Sequence, residues 1–199
     1  MPIHHRARSI PAVSCFSRTI FAGITAVMLI GASSMPRPAL AGDVPTFAVD
    51  ASWPKPLPNN WILGQVGGIS ADSQGHIWVF QRPRSLTDDE KAAALSPPRT
   101  KCCVPAPPVL EFDADGNLLR SWGGPGEGYQ WFGNEHGIEV DDRGFVWLTG
   151  NAADDSQILK FTQDGKFVLQ IGKIAPAKGS NDTTQLGRPA EVTIDKDAN

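Results

Sequence analysis

GQVGGISADSQGHIWVF at residues 64–80 and NEHGIEVDDRGFVWLT at residues 134–149 carry one pattern twice. Gly68-Ile69 is followed by Asp72, Gly75 and Ile77-Trp78-Val79, and Gly137-Ile138 by Asp141, Gly144 and Val146-Trp147-Leu148. A third copy begins at GRPAEVTIDKDAN (187–199), with Pro189-Ala190 in the lead and Asp195 in the register of the other aspartates. A second module also recurs: VLEFDADGNLLRSWG (109–123) matches ILKFTQDGKFVLQIG (158–172) in order, as alternating strand, D-G turn, second strand and glycine. Asp115-Gly116 and Asp164-Gly165 read as hairpin turns, because glycine tolerates the positive φ that tight turns require.

Each unit is therefore four short strands joined by turns. Modules of that kind at such a period predict an all-β fold of β-propeller type, since one four-stranded unit buries its faces only against its neighbours. Residues 62–199 then hold an incomplete propeller: blade one over about 62–123, blade two over about 134–172, and the start of blade three over about 187–199. Residues 83–108 are an insertion between the second and third strands of blade one, in which DDEKAAAL (88–95) suits a helical turn or two, stopped by Pro97 and Pro98. Recurring Trp78 and Trp147 read as core, and recurring Asp72 and Asp141 as turn or cap residues. Trp53, Trp61, Trp122 and Trp131 stand at element borders, where an indole packs an edge while its N–H finds an acceptor. Propellers close with four to eight blades, so the expectation is the front part of a longer protein, with open blade edges able to self-associate.

Residues 1–41 stand outside that pattern. A basic stretch, the apolar run IFAGITAVMLIGA and the small-x-small Ala39-Leu40-Ala41 make a signal peptide cut before Gly42, which predicts export to the periplasm or the extracellular space, with no integral membrane span after cleavage. A leading segment, 42–61, precedes the repeats. The whole chain has 18 Lys and Arg against 21 Asp and Glu; residues 1–41 hold four arginines and no acid, so 14 basic residues remain against 21 acidic ones. That balance disfavours nucleic acid or an anionic membrane as a partner and suits a small or weakly charged ligand. Beyond the signal, Cys102 and Cys103 are adjacent, which rules out a long-range staple between them and leaves a vicinal disulfide, a link to another chain, or free thiols.

Chemistry is expected at the end of the units where the innermost strands begin, since that end opens on the central channel. His136 stands there in blade two, at the place of Gly67 in blade one and of Arg188 or Pro189 in blade three. One imidazole can serve a metal, yet a metal takes three or four ligands. Arg82 ends the second strand of blade one, and Arg84 follows two residues on; a guanidinium fork there suits a carboxylate or a developing negative charge. Glu135 is adjacent to His136, but neighbouring side chains on a strand diverge. His76 reads as a solvated turn residue. Ser-His-Asp spacing, a phosphate loop, HExxH and CxxCH are all lacking.

With the GGISADSQGHIWVF, HGIEVDDRGFVWLT and RPAEVTIDKDAN stretches, the chain resembles NHL-repeat proteins. QRP at 81–83 and EHG at 135–137 extend the likeness to the front half of the peptidyl-α-hydroxyglycine α-amidating lyase family. That resemblance implies a secreted six-bladed propeller, a catalytic zinc held at the channel by histidines of different blades, a structural calcium, and cleavage of peptidyl-α-hydroxyglycine to a peptide amide and glyoxylate. His136 would be one zinc ligand and Arg82 would face the substrate. The sequence departs from the pattern at Gln81, where the family has histidine, at Asn134-Glu135, where a proline is usual, and in the insertion carrying Cys102-Cys103. The other zinc ligands and the catalytic tyrosine belong to later blades, so residues 1–199 alone are expected to be inactive. The alternative expectation is a non-catalytic secreted propeller that binds a peptide, protein or glycan through its rim loops.

Overall fold

The computed structural model describes residues 45–195 and Asp197. The signal peptide predicted over 1–41 lies outside the described residues. By internal contacts the chain divides into Met1–Phe47 and Ala48–Asn199, and the fold below is that of the second unit.

Among its described residues that unit is all-β, with ten strands in three sheets: β1 Trp61–Ile62, β2 Gln65–Ala71, β3 Ile77–Arg82, β4 Val104–Pro105, β5 Val109–Phe112, β6 Leu118–Trp122, β7 Glu135–Val140, β8 Phe145–Gly150, β9 Gln157–Thr162 and β10 Phe167–Gly172. Strands β2-β3-β5-β6 and β7-β8-β9-β10 form two four-stranded antiparallel meanders, and β1 pairs in parallel with β4. The two repeated modules of the sequence thus combine into one sheet each. No closed ring or barrel forms among the described residues.

Four hairpin turns share one geometry, and the turns expected at Asp115-Gly116 and Asp164-Gly165 are two of them, with both glycines at positive φ. In each, the first residue pairs through its backbone with the residue four along, as Asp72 with His76 and Asp113 with Asn117, while the glycine N–H returns to the first carbonyl. Three residues therefore form the loop, and Gly75, Gly116, Gly144 and Gly165 take φ of +77° to +84° at its last position.

The leading aspartate of the first module does more than cap. Asp141 accepts the N–H groups of Arg143 and Phe145 on Oδ1 and the indole N–H of Trp147 on Oδ2 at 2.8 Å. Asp72 does the same for Gln74, His76 and, at 3.1 Å, Trp78. The spacing Asp-x-x-Gly-x-x-Trp is thus one device: a carboxylate fixes the turn and holds the tryptophan of the following strand. In the third copy Asp195 accepts the N–H of Asp197 in the same way.

Alternation along β3 gives the first sheet two buried faces. Trp78 and Phe80 face the second sheet, where they pack with Trp131, Phe132, Val146, Leu148, Leu159 and Phe161. Val79, Leu110 and Phe112 face the other way, onto Trp53, Leu57 and Trp61 of the leading segment. The insertion holds β4 and two short 3-10 turns, Pro83–Ser85 and Ala92–Ala94, the second within the 88–95 stretch where a helical turn or two was expected. Cys102 and Cys103 form a vicinal disulfide.

Replacing Asp141 with Ala removes three hydrogen bonds and leaves a buried indole N–H without an acceptor, which should cost about 1–3 kcal/mol in urea unfolding, with Trp147→Phe recovering part of the loss in the double variant. Burial works to raise the Asp72 carboxyl, but the Trp78, His76 and Gln74 donors outweigh it and hold the pKa below the ordinary value. A carboxylate depressed in the folded state contributes stability above its unfolded pKa and loses it as pH falls through the folded one. Asp72→Asn should therefore flatten the loss of stability between about pH 4 and pH 2 relative to the parent.

Candidate functional site

The innermost strands of successive units lie side by side, closely enough to demand glycine. A Cβ on Gly68 of β2 would come within 2.6 Å of the His136 carbonyl oxygen on β7, and one on Gly137 of β7 within 3.2 Å of Glu191 Cα and into the Ala190 carbonyl. Residues 188–191, the start of the third copy, thus stand to β7 as β7 stands to β2. Between these three backbones runs a groove of about 190 Å³ lined by Gly67, Ile69, His136, Ile138, Ala190 and Glu191.

His136 enters this groove because β7 bulges where it pairs with β8: Glu135 opposes Gly150 and Ile138 opposes Leu148, so His136 and Gly137 share the place of one residue. Bulges re-aim side chains in this way. The equivalent bulge of β2 falls at Gly67, between Val66 and Gly68. Nδ1 of His136 lies 3.0 Å from the Ala190 carbonyl. A carbonyl oxygen only accepts, so Nδ1 carries the proton and Nε2 of the neutral ring keeps its lone pair; no partner for Nε2 occurs among the described residues. The same carbonyl accepts the Thr149 hydroxyl, which itself accepts the Gly137 N–H. An imidazole oriented through Nδ1–H onto a backbone carbonyl is the arrangement that metal-bound histidines use. On the neighbouring face of β7, burial pushes the Glu139 carboxyl above its usual range, helped by the charges of Glu191, Asp141 and Asp142 and opposed by the Ser70 hydroxyl.

Arg82, Arg84 and Glu135 form the joint beside the groove. Arg82 Nε donates to the Glu135 carbonyl at 2.6 Å, and its Nη1 donates to Gln65 Oε1 at 3.2 Å. Arg84 Nη2 meets the Glu135 carboxylate at 3.0 and 3.2 Å, and Trp131 donates its indole N–H to the same carboxylate at 2.9 Å. Glu135 is 2% exposed, and these partners account for its burial. The arginines that the sequence assigned to a ligand are thus partly spent holding the start of β7, and Glu135 is a structural anion. Glu135 and His136 diverge, as adjacent strand residues should, the first to the joint and the second to the groove.

A further cluster was illegible in the sequence. Asp72, His76 and Glu111 bring one ligand atom each within 4.8 Å of one another, a set that could coordinate a metal ion. His76 is therefore not the solvated turn residue expected: its Nδ1 lies 2.8 Å from Glu111 Oε1 and 3.4 Å from Asp72 Oδ2. Antiparallel pairing puts Glu111 opposite Trp78 and Arg120, whose guanidinium binds Glu111 Oε2 at 2.5 Å. Every carboxylate oxygen of the cluster already has a donor. In the second sheet Phe145 and Lys160 hold the places of His76 and Glu111, and the Lys160 ammonium sits 4.0 and 4.4 Å from the Phe145 and Trp147 rings. The first set is held by charge pairing and the second by cation–π contact with the clamped tryptophan.

A catalytic zinc would take three or four donors. The groove supplies one imidazole and, from Glu191, one carboxylate, so the described residues do not complete such a centre.

No protein-family model matches the chain, and no curated protein matches it. Among solved structures the chain is similar to a catalytically inactive virginiamycin B lyase from Staphylococcus aureus with quinupristin, at 18% identity and a TM-score of 0.36, over 71% of this chain and 34% of the other. The chain thus spans about a third of the length of that β-rich lyase.

Arg84→Met should strand the Glu135 carboxylate with one indole donor and cost about 3 kcal/mol in chemical unfolding, while the R84M/E135Q pair recovers much of that. Glu111 keeps the His76 ring as a partner when Arg120 is lost, so Arg120→Met should cost less, about 1 kcal/mol in the same measurement.

Proposed function

We propose that this chain belongs to an exported NHL-type β-propeller whose axial groove takes a ligand at Nε2 of His136. The observation that carries the reading is the histidine itself: a bulge delivers it into the groove, Nδ1 is committed to the Ala190 carbonyl, and Nε2 is free. The propeller is supported by the repeated sheets, by the glycine-mediated approach of β2, β7 and residues 188–191, and by the recurrence of the aspartate turn at Asp195. Export is supported by the signal-like residues 1–41 and by the Cys102–Cys103 disulfide, which suits an oxidising compartment. No helix among the described residues is long and apolar enough to cross a membrane.

The finer proposal is a lyase-type zinc centre in which His136 is one ligand and donors from further units complete the set. Bound there, zinc would polarise a substrate hydroxyl. The residues described here have a preparatory part in that reading. Thr149 and Ala190 orient the imidazole, Arg82 holds the carbonyl of Glu135 one residue before it, and the Glu191 carboxylate makes the groove attractive to a cation.

The second reading, a propeller that binds a peptide or protein without chemistry, uses the same groove with His136 as a polar contact. Metal content separates the two. In the exported protein, about one zinc per chain, lost on His136→Ala with the circular dichroism spectrum unchanged, supports the lyase-type centre. A folded parent that retains no zinc contradicts it and leaves the binding propeller.

A further inference from the structure

The turn between β2 and β3 brings Asp72 and His76 together, and the pairing of β3 with β5 adds Glu111. Both carboxylates are withdrawn from solvent, with the Asp72 side chain 3% and that of Glu111 0% exposed, whereas His76 is 23% exposed and leaves a way in. Each acid is also fixed from behind. Arg120 binds Glu111 at Oε2, which turns Oε1 to the His76 ring. The N–H groups of Gln74 and His76 hold Asp72 at Oδ1, and the Trp78 indole steadies Oδ2. Carboxylates that ligate metal ions are oriented by outer donors of this kind.

Nδ1 of His76 lies 2.8 Å from Glu111 Oε1 and 3.4 Å from Asp72 Oδ2, and the three atoms fall within 4.8 Å of one another. Donors bound to one ion at about 2.1 Å stand roughly 3.0–3.4 Å apart, so the three atoms already have close to the spacing of a shared cation. Charge points the same way. Two carboxylates against one guanidinium leave a negative charge uncompensated beside a neutral imidazole, in surroundings mostly shut from water.

The second sheet treats the equivalent place differently. Asp72 and Trp78 recur there as Asp141 and Trp147, but Lys160 stands where Glu111 does and Phe145 where His76 does, and the Lys160 ammonium lies 4.4 Å from the Trp147 ring. One unit carries its cation in the chain. The other carries ligands for one.

We infer that Asp72 Oδ2, His76 Nδ1 and Glu111 Oε1 form a site for an exchangeable divalent cation, which takes the place of the Nδ1 proton joining the ring to Glu111. That proton moves to Nε2, so the ring stays neutral. Three protein donors leave positions for water on the ion, and a set dominated by carboxylate and water suits manganese(II). The site is separate from the groove at His136 and does not depend on the reading given to that groove.

Manganese(II) added to the full chain tests this by equilibrium dialysis and by the indole N–H resonances of the tryptophans. The expected result is saturable uptake of about one ion per chain, reversed by chelator, with the Trp78 resonance broadening at lower manganese than that of Trp147. Giving the first sheet the second sheet's pair, H76F/E111K, should weaken uptake at least about tenfold while the circular dichroism spectrum stays that of the parent, and His76→Phe alone should do the same if the double variant does not fold. Asp89→Asn, at an exposed acid of the insertion, and His136→Ala should leave the affinity as it is. No uptake by the parent, uptake that survives His76→Phe, or uptake lost with His136→Ala would each overturn the assignment.

Discussion

The acceptor pair of one carboxylate underlies this architecture. At Asp72 and Asp141, one oxygen gathers the N–H groups of a three-residue turn and the other holds the indole of the next strand. The turn sets which face each side chain of β3 or β8 takes, because side chains alternate and a slip of one residue would invert them all. With Trp78 fixed, Phe80 falls on the same face and the core shared by the two sheets follows. The device is local in sequence, so each unit carries its own register.

Joining the units requires different means. Glycines at 68 and 137 let neighbouring innermost strands approach at backbone distance, where any side chain would collide. Beside them, a buried anion is shared across the joint: Arg84 from the end of the first unit's β3 grips Glu135 at the start of the second unit's β7. Further along, Asp155 accepts the N–H groups of Gly133, Asn134 and Ala152, which fixes the loops on either side of His136. The groove histidine therefore rests on a backbone held by two buried acids, and its own ring is oriented by the carbonyl of the next unit. A site assembled this way is rigid before any ligand arrives.

Much of the architecture was legible because it repeats. Two copies of Asp-x-x-Gly-x-x-Trp and two of the strand–turn–strand module located all eight strands of the main sheets, and Gly67, His136 and Arg188 or Pro189 were read as equivalent places. The hairpins at Asp115-Gly116 and Asp164-Gly165 were legible because a glycine at positive φ is a local requirement of the turn. His76 was misread because its partner Glu111 lies across a strand pair, and cross-strand neighbours are set by register. Arg84's grip on Glu135 was likewise invisible, because it links residues brought together only by the packing of one unit on the next. What sequence spacing reveals is repetition within a unit; the joints between units have no periodic signature.

The central claim concerns which nitrogen of His136 bears the proton. Long-range proton–nitrogen correlation spectra of the imidazole, assigned by comparison with His136→Ala, report this directly. The account predicts the neutral ring protonated on Nδ1, with Nε2 showing the shift of an unprotonated nitrogen and responding to added zinc. A ring protonated on Nε2, or rotating freely between both forms, would contradict it, since the Ala190 carbonyl would then not orient the imidazole and the groove would hold no prepared ligand atom.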